Sequence, residues 1–200
     1  MGKVAIVTYS MYGHINAMAE EEKKGLEEAG CEVTIFRVPE TLPEEVLAKM
    51  HAPPKPDYPV VTAEQLVDFD GIMFGIPTRF GMACAQMKSF LDSTGGLWIK
   101  QALSGKPAAI FVSTSTQGGG QESTALTWVT QLTHHGMIFC PLGYGSPGTQ
   151  YNMDAVQGGS PWGAGTFAGP DGSRMPSDNE KKTAATQGKL FGGVVQKLSS

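Results

Sequence analysis

Near its amino end the chain carries Val4-Ala5-Ile6-Val7, an apolar run with no polar residue inside it. A strand with one wet face alternates apolar and polar side chains. An unbroken run instead suits a strand covered on both faces, as in a parallel sheet held between helices. The signature returns at Gly71-Ile72-Met73-Phe74-Gly75-Ile76, which Pro77 is expected to end, and at Ala108 to Val112. Each run is followed by apolar residues at helical spacing. These are Ile15, Met18, Ala19, Leu26 and Ala29 before a C-cap glycine, Gly30; then Met87, Phe90 and Leu91; then a helix from Glu122 to His135 closing at Gly136. Two further strands read from Glu32 to Val38, stopped by Pro39, and from Met137 to Pro141. This alternation predicts an α/β fold in three layers around a parallel sheet. Two hundred residues with 40% hydrophobic content make one domain, residues 1–200, with a sizeable core.

The connections carry their own signals. Pro43-Glu44-Glu45-Val46-Leu47 starts a short acidic helix, and the proline-rich stretch from Ala52 to Pro59 is a surface loop. Thr62 with Gln65, and Ser177 with Glu180, have capping-box spacing. Ala184, Gly188, Phe191, Val195 and Leu198 mark the packed face of a terminal helix. From Leu142 to Pro176 the pattern dissolves into glycine, proline and isolated aromatics, too long a stretch for an idle connection. Tyr151, Trp162 and Phe167 there need burial against something, which suggests oligomerisation.

A formal charge of −4 leaves no basic footprint for nucleic acid. No apolar run reaches membrane-spanning length, and the amino end reads as a core strand with no signal-peptide architecture, so the expected compartment is cytoplasmic. Cys31, Cys84 and Cys140 are odd in number and widely spaced, which reads as free buried thiols, and the four histidines supply no metal-ligand set.

The loop from Ser10 to His14 lies where the first strand gives way to the first helix. Unpartnered N–H groups and a partial positive charge make such a helix start attractive to a phosphate. The loop offers the hydroxyls of Ser10 and Tyr12, a small Gly13 and the imidazole of His14, but no Lys or Arg. Amides and neutral donors of this kind suit a mononucleotide that is kept. A dinucleotide fingerprint would need three glycines where only Gly13 stands, a P-loop string appears nowhere, and Tyr9-Ser10 is not the acidic cluster of a phospho-receiver. An ordinary turn with no ligand stays open on this stretch alone.

In a doubly wound sheet, ligands sit outside the carboxyl ends of the strands. Two more loops fall on that rim: Pro77-Thr78-Arg79-Phe80-Gly81, and Ser113 to Gln121 with four hydroxyls and three glycines. Together they offer what a flat phosphorylated heterocycle needs: a cation, a planar ring and exposed amides.

The strings SMYGHI, PTRFG, QMKSFLDSTGGLW, GGGQE and HHGM, in this order, resemble the WrbA family of NAD(P)H:quinone oxidoreductases. The resemblance runs from Lys3 to Leu198 and takes in Gly158-Gly159, Pro161 and Asp171-Gly172-Ser173-Arg174. It implies a flavodoxin-like sandwich, a five-stranded parallel sheet of order 2-1-3-4-5, with FMN bound and NADH or NADPH as co-substrate. By the same resemblance Ser10, Met11, Tyr12, Gly13, His14 and Ile15 would hold the FMN phosphate, and Pro77, Thr78, Arg79 and Phe80 would line the ring system. Ser113, Thr114, Ser115, Thr116, Gln117, Gly118 and Gly119 would meet its pyrimidine edge, although Ser115 and an extra residue near Gln117 depart from the family string. His134 would approach the flavin from a neighbouring subunit's side, Trp98 and Phe80 would border the quinone, and Tyr12 would meet the nicotinamide.

The implied activity is two-electron reduction of benzoquinone-type quinones, within a homotetramer. Both substrates need one exposed flavin face, so ping-pong kinetics are expected. Arg79 would stabilise charge on the reduced ring, and His134 would donate a proton to the quinol oxygen. The alternative is a flavodoxin-like carrier of single electrons to protein partners, and the long segment after strand five together with Trp98 speaks against it.

Overall fold

The computed structural model describes residues 1–199. In chain order the elements begin β1 (Lys3–Thr8), α1 (His14–Glu28), β2 (Glu32–Arg37) and α2 (Glu44–Lys49). A 3-10 turn (Glu64–Asp68) leads to β3 (Gly71–Arg79), β4 (Met82–Ala83), α3 (Ala85–Asp92) and α4 (Gly95–Ile99). The chain continues through β5 (Pro107–Thr114), α5 (Gln121–His134), β6 (Ile138–Phe139), α6 (Pro147–Gln150), β7 (Gly165–Phe167) and α7 (Asp178–Leu198).

The main path of the sheet is β2-β1-β3-β5-β6, parallel throughout, with Val4 paired to Val33 on one side and Gly71 on the other. This is the expected strand order, but the sheet has seven strands instead of five. β4 folds back antiparallel on the end of β3. β6 and β7 share one edge of β5, β6 at Pro107–Ala108 and β7 at Val112–Thr114, so the chain leaves the edge after β6 and returns to it. Cys140 N–H still reaches Ala108 O at 2.8 Å, and Pro141, having no N–H, ends that first piece. β7 escaped the sequence reading because three residues are too few to show a period.

Pro77 does not end β3, which continues to Arg79. Tyr9 N–H donates to Gly75 O, so Gly75 and Pro77 turn their backbone groups toward β1, and β1 has already ended at Thr8. The donor that proline lacks has no partner to miss there.

Both faces of the sheet are covered, as the unbroken apolar runs require. Val4 and Ile6 face a cluster built with Ile15, Met18 and Leu26 of α1 and Phe191 and Val195 of α7. Ala5 and Val7 face the other side, with Met87 and Phe90 of α3, Leu97 of α4, and Trp128 of α5, whose ring lies 5.1 Å from that of Phe74. Ser177 and Glu180 form the expected capping box at the start of α7, whereas Leu198 is exposed at its end. At the 3-10 turn only one capping bond appears, from Thr62 N–H to Gln65 Oε1 at 2.8 Å. Phe167 is buried, Trp162 stacks on Phe139, and Tyr151 stacks on Tyr144 while staying exposed. No helix among the described residues is long and apolar enough to cross a membrane.

Candidate functional site

β1, β3 and β5 end on one edge, where the loops after them frame a cleft of about 420 Å³. Ser10, Met11 and Tyr12 line it from the first loop and His14 from the start of α1, Pro77, Thr78 and Arg79 from the end of β3, and Ser113, Thr114 and Ser115 from the end of β5 and the loop after it.

The first loop leaves donors free. α1 has no side-chain cap, and its N-cap residue Gly13 sits at φ +92° in the left-handed region that favours glycine. Gly13 N–H donates to Ser10 Oγ at 3.1 Å, and the first bond into the helix runs from Ala17 N–H to Gly13 O at 2.9 Å. His14, Ile15 and Asn16 therefore keep backbone N–H groups with no partner among the described residues. His14 is buried against the cleft, and its Nε2 has no hydrogen-bond partner.

The second loop is held from behind. Thr78 Oγ1 accepts from Gly81 N–H at 3.1 Å and shares a 2.8 Å hydrogen bond with Thr124 Oγ1 of α5. Arg79 Nη1 donates to Thr78 O at 2.8 Å, leaving the guanidinium at the cleft. In the third loop, Thr114 Oγ1 donates to Thr116 O at 3.1 Å and accepts from Gln121 Nε2 at 3.2 Å.

Beside Ser10, Glu40 gathers donors: Lys55 Nζ, the Tyr9 hydroxyl at 3.0 Å, Gln86 Nε2 at 3.1 Å and the N–H groups of Thr41 and Leu42. Burial alone would raise the Glu40 carboxyl, but these hydrogen bonds, from Lys55 above all, outweigh it and bring it down to about 2. Burial, and then the neighbouring Glu40, push the Tyr9 hydroxyl up, so it stays a neutral donor.

A fourth wall, Ala168 to Gly172, completes the cleft without a motif that announces it. Its signal was present in Gly169 and the Asp171-Gly172 pair, since both glycines have positive φ. Ala168 N–H donates to Thr114 O at 2.8 Å and Gly169 N–H to Ser115 O at 2.9 Å, joining this wall to the third loop. Asp171 brings an exposed carboxylate, held below its ordinary range by the N–H and hydroxyl of Ser173.

Several expected residues lie elsewhere. Ile15 is fully buried in the core, so only its backbone faces the loop. Phe80 turns the β3–β4 hairpin at φ +54° with its side chain fully exposed, outside the cleft lining. Thr116, Gln117, Gly118 and Gly119 do not line the cleft either. Gln117 instead borders a larger one of about 640 Å³ against Tyr144 and the 150–161 stretch, where none of the other expected site residues lie.

Trp98 and His134 stand at the opposite edge of the sheet. α5 starts at the rim and runs 14 residues away from it, about 20 Å, to reach His134. Thr94 Oγ1 and His135 Nε2, 2.8 Å apart, tie the α3–α4 junction beside Trp98 to that same helix end. Within one chain neither Trp98 nor His134 meets the cleft.

Comparison with known proteins agrees with this architecture. The family model described as NADPH-dependent FMN reductase matches residues 6–150. The quinone oxidoreductase QR2 of Triphysaria versicolor is 61% identical over 197 residues, 98% of this chain and 96% of its own length. The NAD(P)H quinone oxidoreductase PST3 of Candida albicans is 57% identical, covering 98% of each chain. Among solved structures, a WrbA-like flavodoxin from Agrobacterium tumefaciens superposes with a TM-score of 0.68 at 22% identity, over 98% of this chain and 99% of that one, a likeness of fold. On the family match and on relatives more than half identical along nearly its whole length, this chain belongs to the NADPH-dependent FMN reductase family.

Proposed function

We propose that this chain is an FMN-dependent NAD(P)H:quinone oxidoreductase that reduces benzoquinone-type quinones to hydroquinones by two electrons, taking its substrates in turn. The observation that carries this reading is the start of α1, with its three free N–H groups beside the orphaned Nε2 of His14. These donors fit a dianionic phosphate better than water alone, because the helix end adds its own positive potential. The remaining walls supply hydroxyls, amides and one guanidinium around a slot suited to a flat ring. FMN, when bound there, supplies a carrier that accepts two electrons from a nicotinamide and gives two to a quinone.

The chain's own residues bind, orient and neutralise. Ser10, Gly13 and the first turn of α1 anchor the phosphate. Thr78, held by Thr124 and Gly81, fixes the second loop, and Arg79, the one Lys or Arg in the lining, offsets negative charge near the ring. Tyr12, half-exposed with its hydroxyl on Met50 O at 3.1 Å, stands at the mouth where a nicotinamide would stack.

Trp98 and His134 complete the site from a neighbouring copy in a homotetramer, His134 as proton donor to the quinol oxygen. Their distance from their own cleft supports this, as do the exposed side chains of Phe80, Met82, Trp98 and Ile99. A cytoplasmic setting fits three cysteines that are all free.

Initial rates with NADH or NADPH and benzoquinone test the proposal. Parallel double-reciprocal lines are expected, since one face serves both substrates. Intersecting lines would overturn the alternating order, and absence of quinone turnover by the FMN-loaded protein would favour the single-electron carrier.

A further inference from the structure

The Ala168 to Gly172 wall belongs to no helix or strand, so its place depends on what ties it down. One tie is to the end of β5, through the amides of Ala168 and Gly169. The other is Arg174, whose N–H donates to Ala168 O at 2.9 Å and whose Nη1 donates to Phe167 O at 2.6 Å. The same guanidinium pairs with Glu180 at 2.9 Å and reaches Val156 O at 3.1 Å.

Glu180 is 1% exposed, and both of its oxygens are in use. Oε1 accepts from Gly158 N–H at 2.8 Å and Phe167 N–H at 3.4 Å. Oε2 accepts from Thr166 Oγ1 at 3.0 Å, Arg174 Nη1 at 2.9 Å and Ser177 N–H at 2.7 Å. A capping box requires only the bonds within the first turn of α7. The remaining donors come from β7, from the cleft wall's anchor and from the excursion between β6 and β7. A buried carboxylate so fully satisfied serves to fix positions more than to add net stability.

We propose that Glu180 and Arg174 are positioning residues for the cofactor cleft, holding the 168–172 wall against Ser113–Ser115 and thereby setting how tightly FMN is bound. This rests on the FMN reading above. Neither residue lines the cleft, so their effect passes through the wall.

The test uses three variants of the full chain. Glu180→Gln keeps the side chain's size but removes its charge and sets an NH₂ against donors. Hydrogen–deuterium exchange of the Ala168, Gly169 and Gly172 amides is expected to quicken about tenfold or more in the FMN-free variant, and the FMN dissociation constant to rise about tenfold. Arg174→Met, at a position partly open to solvent, should move both readouts the same way by a smaller factor and serves if Glu180→Gln does not fold. Leu66→Ala is a control buried on the face opposite α7; it should lower Tm yet leave both readouts within about twofold.

Unchanged wall exchange in the folded variants, or equal loosening in Leu66→Ala, would overturn the positioning role. Faster exchange with unaltered FMN affinity would overturn the link to the cofactor. A parent protein that takes up no FMN would refute the cofactor reading, while the exchange data would still decide whether the pair holds the wall.

Discussion

The two halves of α1 use glycine for opposite physical reasons. At its start, Gly13 has no atom within 4 Å of where a Cβ would stand, but its φ of +92° excludes most side chains. Farther along, Gly25 needs no unusual φ, yet a Cβ there would lie 1.9 Å from Ala185 O of α7, and one on Gly188 would lie 2.1 Å from Glu22 O. The first end is open space lined with spare donors; the seam with α7 is two backbones in contact. If the first end anchors FMN as proposed, recognition and packing share a single helix and should be separable by mutation.

Gly25→Ala should have the largest effect. Its Cβ meets backbone that cannot swing aside, so a loss of about 3 kcal/mol or more is expected, lowering Tm by about 6 to 12 °C. FMN affinity of the still-folded protein should be unchanged, and a large fall in affinity would break the separation. Gly13→Val is the converse. Strain at a positive φ should weaken FMN binding about ten- to a hundredfold in a fluorescence titration, with only a modest change in the Tm of the FMN-free protein. Unchanged affinity would mean that the first turn of α1 is not the anchor.

Smaller effects distinguish two glutamates by the sign of their pH dependence. Glu22, in the seam, is fully buried with neither oxygen bonded, and burial raises its pKa well above the ordinary 4.5. The folded protein keeps that proton while the unfolded chain releases it, so this contribution to stability falls as pH rises above about 4.5. Glu22→Gln should remove that slope and raise stability near neutral pH relative to the parent.

Glu40, beside the rim, is lowered to about 2, so its contribution is present above the ordinary 4.5 and is lost as pH falls toward about 2. Glu40→Gln should therefore weaken the protein near neutral pH by on the order of 1 kcal/mol, after allowance for solvent screening, and flatten the acid limb. Tm recorded from about pH 3 to about pH 8 checks both, and slopes of the same sign would contradict the account.

The parallel sheet was legible because unbroken apolar runs leave few alternatives, its strand order only through the family resemblance, and the capping box at Ser177 because its donors lie three residues apart. β4 and β7 were not, since strands of two and three residues take their conformation from the partner they pair with. The first three cleft loops follow from their place after apolar strands. The 168–172 wall follows a strand too short to see, and its hold on β5 is a tertiary fact. The string around Phe80 suggests a cleft residue, but in its hairpin, at a φ of +54°, the side chain is fully exposed. Trp98 and His134 lie at the far ends of the helical stretches that leave the rim after β3 and β5, and the folded path of α4 and α5 keeps both away from their own cleft.

The most direct test of the central claim is titration of the FMN-free protein with FMN, followed by absorbance and then by anaerobic addition of NADH or NADPH. The account predicts a yellow protein holding one FMN per chain, bleached by the nicotinamide and recoloured by benzoquinone. A folded protein that stays colourless at saturating FMN would contradict it.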